Sequence, residues 1–314
     1  MIEMKYPAKI ILFGEYGILL GSLALAIPYP HFSGQLRITS KLPAHLATAE
    51  LSSNGELRRF LGFLRLEQSK YGFLNLNYFE EEVQNGLIFE SSIPAGFGLG
   101  SSGALTAAIY DRYTEDPFPI DPLTLRNRLA AMESFFHKVS SGIDPLTSLW
   151  SQPVLLGNAR TLPSTVEMNT FFDTYSLYLL DIPSRASTGE LVRKFLTDCN
   201  NPEYRKTMEE EYLPLVDRTI ASVISVEINQ LDGYLTNYSE LQFNHFSGMI
   251  PESMFKHMKH GIDTGDFQLK LCGSGGGGQM LAITRNKSQA VDYFDSNRLT
   301  YSLIANPGIH QQTT

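Results

Sequence analysis

A chain of 314 residues with 43% hydrophobic content is long enough for one large core or two closely packed ones, and its formal charge of −8 argues against nucleic acid or an anionic membrane as the main partner. The two cysteines, Cys199 and Cys272, are too few for a disulfide framework or a zinc site, so a reducing, cytoplasmic setting is the simplest expectation. The N-terminus lacks the basic region, apolar run and cleavage site of a signal peptide, and no later run of about 18 apolar residues predicts a membrane span.

Residues 8–13, AKIILF, predict a strand ending at Gly14, followed by a second apolar stretch containing Gly17 and Gly21. Lys9 lies inside that first run. It either snorkels to the surface or points into a pocket, where burial makes a cation useful. Glu15, just past the strand, is placed to orient Lys9 or a substrate hydroxyl. From His31 to Phe89 the pieces GQLRIT, YGFLNLNYF and GLIFES look like strands around an amphipathic stretch, Glu56 to Tyr71, with apolar spacing at Leu57, Phe60, Leu61 and Leu64.

Residues 93–105, IPAGFGLGSSGAL, form a glycine-rich loop opening a helix expected over Ser101–Tyr113. Gly96, Gly98 and Gly100 clear side chains from backbone N–H groups. Ser101, Ser102 and Gly103 begin a helix whose unpaired N–H groups and dipole favour an anion, so the loop reads as a phosphate cradle; a serine-capped glycine turn is the plainer alternative. Gly98, Gly100 and Gly103 satisfy G-x-G-x-x-G, but a dinucleotide fold wants a strand running straight into the first glycine and an acid on a second strand about 20 residues later. Pro94 interrupts the first, and residues 122–136 are helical in spacing. No Lys-Ser or Lys-Thr follows the glycines, which excludes a Walker loop.

The next helix starts at Asp121 as N-cap with Pro122 at its first position, then Leu125, Leu129, Met132 and Phe136. Glu133 falls on or beside that apolar face, where a carboxylate is paired, bound to metal, or displaced enough to be solvated. Gly142 breaks the helix. Asp144 precedes Pro145 and could cap a helix over PLTSLW as readily as do chemistry. In the second half, SLYLLDI predicts a strand, Ser187–Glu190 a capping box before ELVRKFL, and long amphipathic helices fill 202–261. QLKLCGSGGGGQMLAIT is a strand, a loop with five glycines in six residues, and a strand; SQAVDYFDS and LTYSLIA add a helix and a last strand. This order predicts an α+β region with an antiparallel sheet.

A Lys-containing strand ending in Gly-Glu, a PxGxGLGSSG loop and a C-terminal glycine-rich hairpin together resemble the GHMP kinases over nearly the whole chain. Within that superfamily PAKIILFGEYGILLGSLALAIP, ESFFHKVSSGID and IPSRASTGELV are most similar to mevalonate kinases, of a compact, bacterial type. The resemblance implies an α+β, two-lobed fold: residues 1–165 an ATP-binding lobe of ribosomal S5 domain 2-like type, and 166–314 a ferredoxin-like C-terminal lobe. It implies ATP and Mg²⁺ as cofactors, Asp144 and Lys9 as catalytic, and Ser102 and Glu133 as metal ligands. The triphosphate loop would comprise Pro94, Gly96, Gly98, Leu99, Gly100, Ser101, Ser102 and Gly103. Glu15, Tyr16, Arg185, Thr188, Gly275 and Gly276 would line the substrate side. Glu133 and Asp144 keep the family's spacing of eleven residues.

Tyr16 stands where mevalonate kinases commonly have His, and its phenol is expected to replace that imidazole toward the acceptor. His137-Lys138-Val139-Ser140-Ser141-Gly142 stands for His-Gly-x-Pro-Ser-Gly, so Lys138 would favour an acceptor that already carries phosphate. Gly103 replaces the usual Ala, a change expected to be harmless. The implied partner is a small-molecule alcohol, mevalonate first, with no nucleic acid or membrane and room for a homodimer. Competing readings are another GHMP kinase, acting on phosphomevalonate or a sugar, and a non-catalytic binding protein on the same fold. The intact Lys9, Glu133 and Asp144 disfavour the last.

Overall fold

The computed structural model of the chain describes residues 4–39, 47–115, 120–157, 163–182, 188–225 and 228–304. It divides into two compact units, each assembled from separate stretches: residues 1–9, 28–94 and 100–152 form one, and 10–27, 95–99 and 153–314 the other. Strands β1 (Tyr6–Phe13) and β2 (Ala24–Ile38) contribute residues to both.

In the first unit, β2 continues past Pro28 and Pro30, and Gly34–Ile38 pairs antiparallel with β3 (Leu87–Ser91). Between these strands lie helices α1 (Ala47–Leu66) and α2 (Leu76–Gln84). The spacing foreseen for α1 is what buries it, through Leu57, Phe60, Leu61 and Leu64. YGFLNLNYF is not a strand. Only Leu74 makes a bridge, to Thr114, and Asn75 then caps α2 by accepting from the Tyr78 N–H at 2.9 Å. The apolar alternation was local, and the cap with Leu76, Phe79 and Val83 at helical spacing overrides it.

Helices α3 (Ser101–Tyr113), α4 (Pro122–His137) and α5 (Ile143–Trp150) complete this unit, and α3 packs against both of the others. Asp121 caps α4 as expected, accepting from the Thr124 N–H at 2.7 Å. Ser148 on α5 donates to the Pro7 carbonyl at 2.8 Å, docking that helix on β1. Glu82 on α2, buried, is gripped by both guanidinium donors of Arg112 and by the Tyr113 hydroxyl, which fixes α2 on α3.

The second unit adds β4 (Val154–Leu156), antiparallel to Ala24–Ala26, and β5 (Ser164–Thr165), both too short to register in the sequence. After α6 (Asn169–Thr174) come β6 (Ser176–Ile182), α7 (Thr188–Asp198), α8 (Pro202–Thr207), a π-helical turn at Met208–Tyr212, α9 (Leu213–Ile224), α10 (Leu231–His245) and α11 (Glu252–Thr264). Strands β7 (Gln268–Leu271) and β8 (Gly278–Thr284), helix α12 (Lys287–Ser296) and β9 (Tyr301–Leu303) close the chain. The sheet order is β7-β8-β6-β9, antiparallel throughout, matching the predicted α+β pattern. Every residue of β7 and β8 is buried, so this sheet is the unit's core. Among the described residues no helix is long and apolar enough to cross a membrane.

Candidate active site

The first unit gathers four of the residues singled out in the sequence. Lys9 is 2% exposed, so it does not snorkel; its ammonium meets Asp144 Oδ2 at 2.9 Å. Asp144 is not the N-cap of α5. Gly142 holds that position with φ +79°, and Asp144 sits in the first helical turn. Its carboxylate is therefore free of the capping duty that Asp-Pro suggested, and it engages Lys9 instead. Gly103 makes this arrangement possible. A Cβ there would lie 2.8 Å from the Asp144 backbone carbon and 2.9 Å from Pro145 N, so the change from the family's Ala is a close helix approach rather than a neutral swap.

Glu133 lies on the buried face of α4, 3% exposed, and is not solvated. Its Oε1 is 3.2 Å from Ser102 Oγ at the start of α3, and its Oε2 accepts from Ser140. Burial, reinforced by the charge on Asp144, pushes Glu133 up to about 8. Ser102 Oγ also lies 2.8 Å from His137 Nε2, and burial lowers the His137 pKa toward a neutral ring. The network is satisfied when Ser102 donates to Glu133 and accepts from a His137 tautomer that carries its hydrogen on Nε2. His137 and Ser140 were seen in the sequence only as parts of a family motif, His137 matching it and Ser140 standing where the family has Pro. The signal available was spacing, since His137 is one helical turn beyond Glu133.

Two hard oxygens, the Ser102 hydroxyl and the buried Glu133 carboxylate, suit Mg²⁺, which keeps several waters and needs few protein ligands. No cluster of three His, Cys, Asp or Glu side chains able to hold a metal occurs among the described residues. The start of α3 suits phosphate in the same sense: Gly100 is its N-cap at φ +75° and has no side chain to cap the first N–H groups.

The second unit holds Gly96, Gly98 and Leu99 of the glycine loop, and Glu15, Tyr16, Gly275 and Gly276. Glu15, 2% exposed, pairs with Lys270 on β7 and accepts from the Tyr238 hydroxyl at 2.7 Å. Burial raises its pKa while Lys270 pulls the other way. The Tyr16 hydroxyl, expected toward an acceptor, donates to the Ser274 carbonyl at 2.6 Å, and the residue is 4% exposed. Lys270 went unremarked in the sequence, although a lysine inside an apolar strand is the signal that singled out Lys9. Arg185, Ser187 of the expected capping box and the side chain of Thr188 lie outside the described residues.

A family profile for the GHMP kinases N terminal domain matches residues 64–152. A mevalonate kinase of Thermococcus sibiricus is 26% identical over 316 residues, 91% of this chain and 90% of that one. Among solved structures, the L. major mevalonate kinase in complex with R-mevalonate has a TM-score of 0.64 at 12% identity, covering 97% of this chain and 96% of that one. The Streptococcus pneumoniae phosphomevalonate kinase in complex with phosphomevalonate and AMPPNP has a TM-score of 0.63 at 15% identity, with 97% and 100% covered. At these identities the two structures speak to the fold, and they share it equally. The chain thus matches the N-terminal domain of the GHMP kinases over residues 64–152 and is similar to a mevalonate kinase along nearly its full length.

Proposed function

We propose that the protein is a mevalonate kinase, transferring the γ-phosphoryl group of ATP to the primary hydroxyl of mevalonate to give 5-phosphomevalonate for isoprenoid synthesis. The observation that carries this is the pairing of buried Lys9 with half-buried Asp144, in one unit with Ser102 and Glu133. Asp144 accepts the proton of the alcohol as it attacks, and Lys9, paired with that carboxylate, faces the transferring group with positive charge. Mg²⁺, when bound, neutralises phosphate charge; Ser102 and Glu133 are the side chains that would hold it. Backbone N–H groups from the 96–103 loop would receive the triphosphate. Phosphoryl transfer asks for little more than alignment and charge neutralisation, which is what these groups supply.

The aligned mevalonate kinase relative favours mevalonate over phosphomevalonate, since the fold likeness is equal for both kinds of enzyme. We further propose the lobe division at residue 165 and action in the cytoplasm on a small molecule without nucleic acid or membrane. A coupled ADP-release assay with Mg-ATP against mevalonate, phosphomevalonate and several sugars tests the assignment. Turnover of mevalonate is expected; robust turnover of another acceptor with none of mevalonate would sink it.

A further inference from the structure

The Gly14–Tyr16 turn and the glycine-rich loop 272–278 lie in the same unit, and side chains tie one to the other. Lys270, 3% exposed, donates from Nζ to Glu15 Oε1 and to the Leu271 carbonyl at the entry of the loop. Glu15 is held from the other side by the Tyr238 hydroxyl on Oε2 and by the Tyr212 hydroxyl on its carbonyl, at 2.7 and 2.9 Å. Tyr16 has φ +59°, a region costly for a bulky residue. It is kept there by its bond to the Ser274 carbonyl and by the rings of Phe195 and Phe246, 4.7 and 5.6 Å away.

Two unfavourable features thus meet at one place. A buried ion pair adds little stability over an apolar replacement, and a tyrosine at positive φ subtracts from it. What they hold is a loop with five glycines, which has almost no side chains of its own to fix it, so its conformation has to be imposed from outside. The loop in turn supports the phosphate segment. A Cβ on Gly98 would lie 3.1 Å from the Cys272 carbonyl oxygen, and one on Gly278 3.1 Å from Phe97 Cα. The two backbones are in direct contact, so the placing of 272–278 sets that of 97–98.

We infer that Glu15, Lys270 and Tyr16 are positioning residues for nucleotide binding: their strut fixes the glycine hairpin, and through it residues 95–99, in the conformation that presents backbone N–H groups to the phosphates. This rests on the kinase assignment above, and it gives Glu15 and Tyr16 a different task from contact with the acceptor.

The test is the affinity of the full-length protein for Mg-AMPPNP by calorimetry, with KM for ATP and for mevalonate beside it. Two variants are compared with wild type: Tyr16→Phe, which removes one hydroxyl, and Glu15→Gln with Lys270→Met, which leaves no unpaired buried charge. Both should weaken AMPPNP binding by at least about 5-fold, the scale of a lost hydrogen bond, while KM for mevalonate moves by less than about 2-fold. AMPPNP affinity unchanged in both, or a rise confined to the KM for mevalonate, overturns the inference. Should the double variant fail to fold, Tyr16→Phe decides alone by the same criteria. Wild-type protein that binds no AMPPNP would overturn the kinase assignment and the inference together, whereas wild-type binding with unaffected variants overturns the inference only.

Discussion

Asp144 touches Lys9 and caps nothing, so its replacement separates chemistry from stability more cleanly than the Asp-Pro sequence implied. In Asp144→Asn the amide oxygen still accepts from Lys9, and the loss in stability should be no more than about 3 kcal/mol, the upper range for a charged hydrogen bond. Turnover should fall at least ~10²-fold, because an amide cannot take the acceptor's proton. Adding Lys9→Met should cost little further turnover, since groups that act as a unit are not additive. Retention of most activity by a well-folded Asp144→Asn protein would remove the proton acceptor from the mechanism. Ser102→Ala and Glu133→Gln address the metal instead: each should lower turnover and raise the Mg²⁺ needed for half-maximal rate. Absence of any Mg²⁺ compensation in both would end the ligand assignment. At this scale the sequence showed which residue types were out of place in apolar surroundings, Lys9 and Glu133 among them. It did not show partners. Lys9 and Lys270 carry the same signal, and only the fold gives one to Asp144 and the other to Glu15.

Elements were legible where period and caps agreed, as in α4 with its Asp121–Pro122 start, and illegible where they conflicted, as at Asn75. The distance between elements was not legible at all. Gly103 looked like an innocuous replacement for Ala, yet it sets how near α3 comes to α5. Gly103→Ala should therefore cost about 1–3 kcal/mol by overpacking and also reduce turnover, because the atoms displaced belong to Asp144 and Pro145. Urea unfolding and the ADP-release assay measure the two effects; a variant as stable as wild type would show that the helices have room to spare. The packing of α11 on α12 yields a pH prediction. His257 on α11 is buried, its Nδ1 lies 3.0 Å from the Tyr293 hydroxyl on α12, and burial, with the charges of Lys256 and His260, lowers its pKa. A group that resists protonation when folded contributes stability in full above its unfolded pKa of about 6.5, and loses it as pH falls from there through the folded value. Tm should drop between about pH 7 and pH 5, and His257→Asn, which keeps an acceptor near the Nδ1 position, should drop less. Equal slopes for the two proteins would exclude His257 as the cause.

Over the whole molecule the order of the chain and the order of the units differ. The second unit takes residues 10–27 and 95–99 from the N-terminal half, and this interleaving was beyond the reach of patterns that are read a few residues at a time. Its consequence is testable by cutting the chain. A fragment of residues 166–314, divided at the proposed lobe boundary, lacks Glu15, which pairs with Lys270, and Leu23, whose N–H bonds Asp217 at 2.9 Å. Lys270 would then be buried without a counter-ion, at a cost of about 3–5 kcal/mol, against a total stability of about 5–15 kcal/mol for a typical protein. The fragment should show no cooperative urea transition by circular dichroism, and a sigmoidal transition like that of the full chain would refute the dependence. Lys270→Met distinguishes a missing counter-ion from general loss of contacts. In the full chain it strands the Glu15 carboxyl in an apolar setting and should lower Tm. In the fragment it removes the only unmatched charge of that pair and should increase helical signal, so the same substitution is expected to act with opposite signs in the two contexts. The same sign in both would mean that the pair does not govern whether this unit folds.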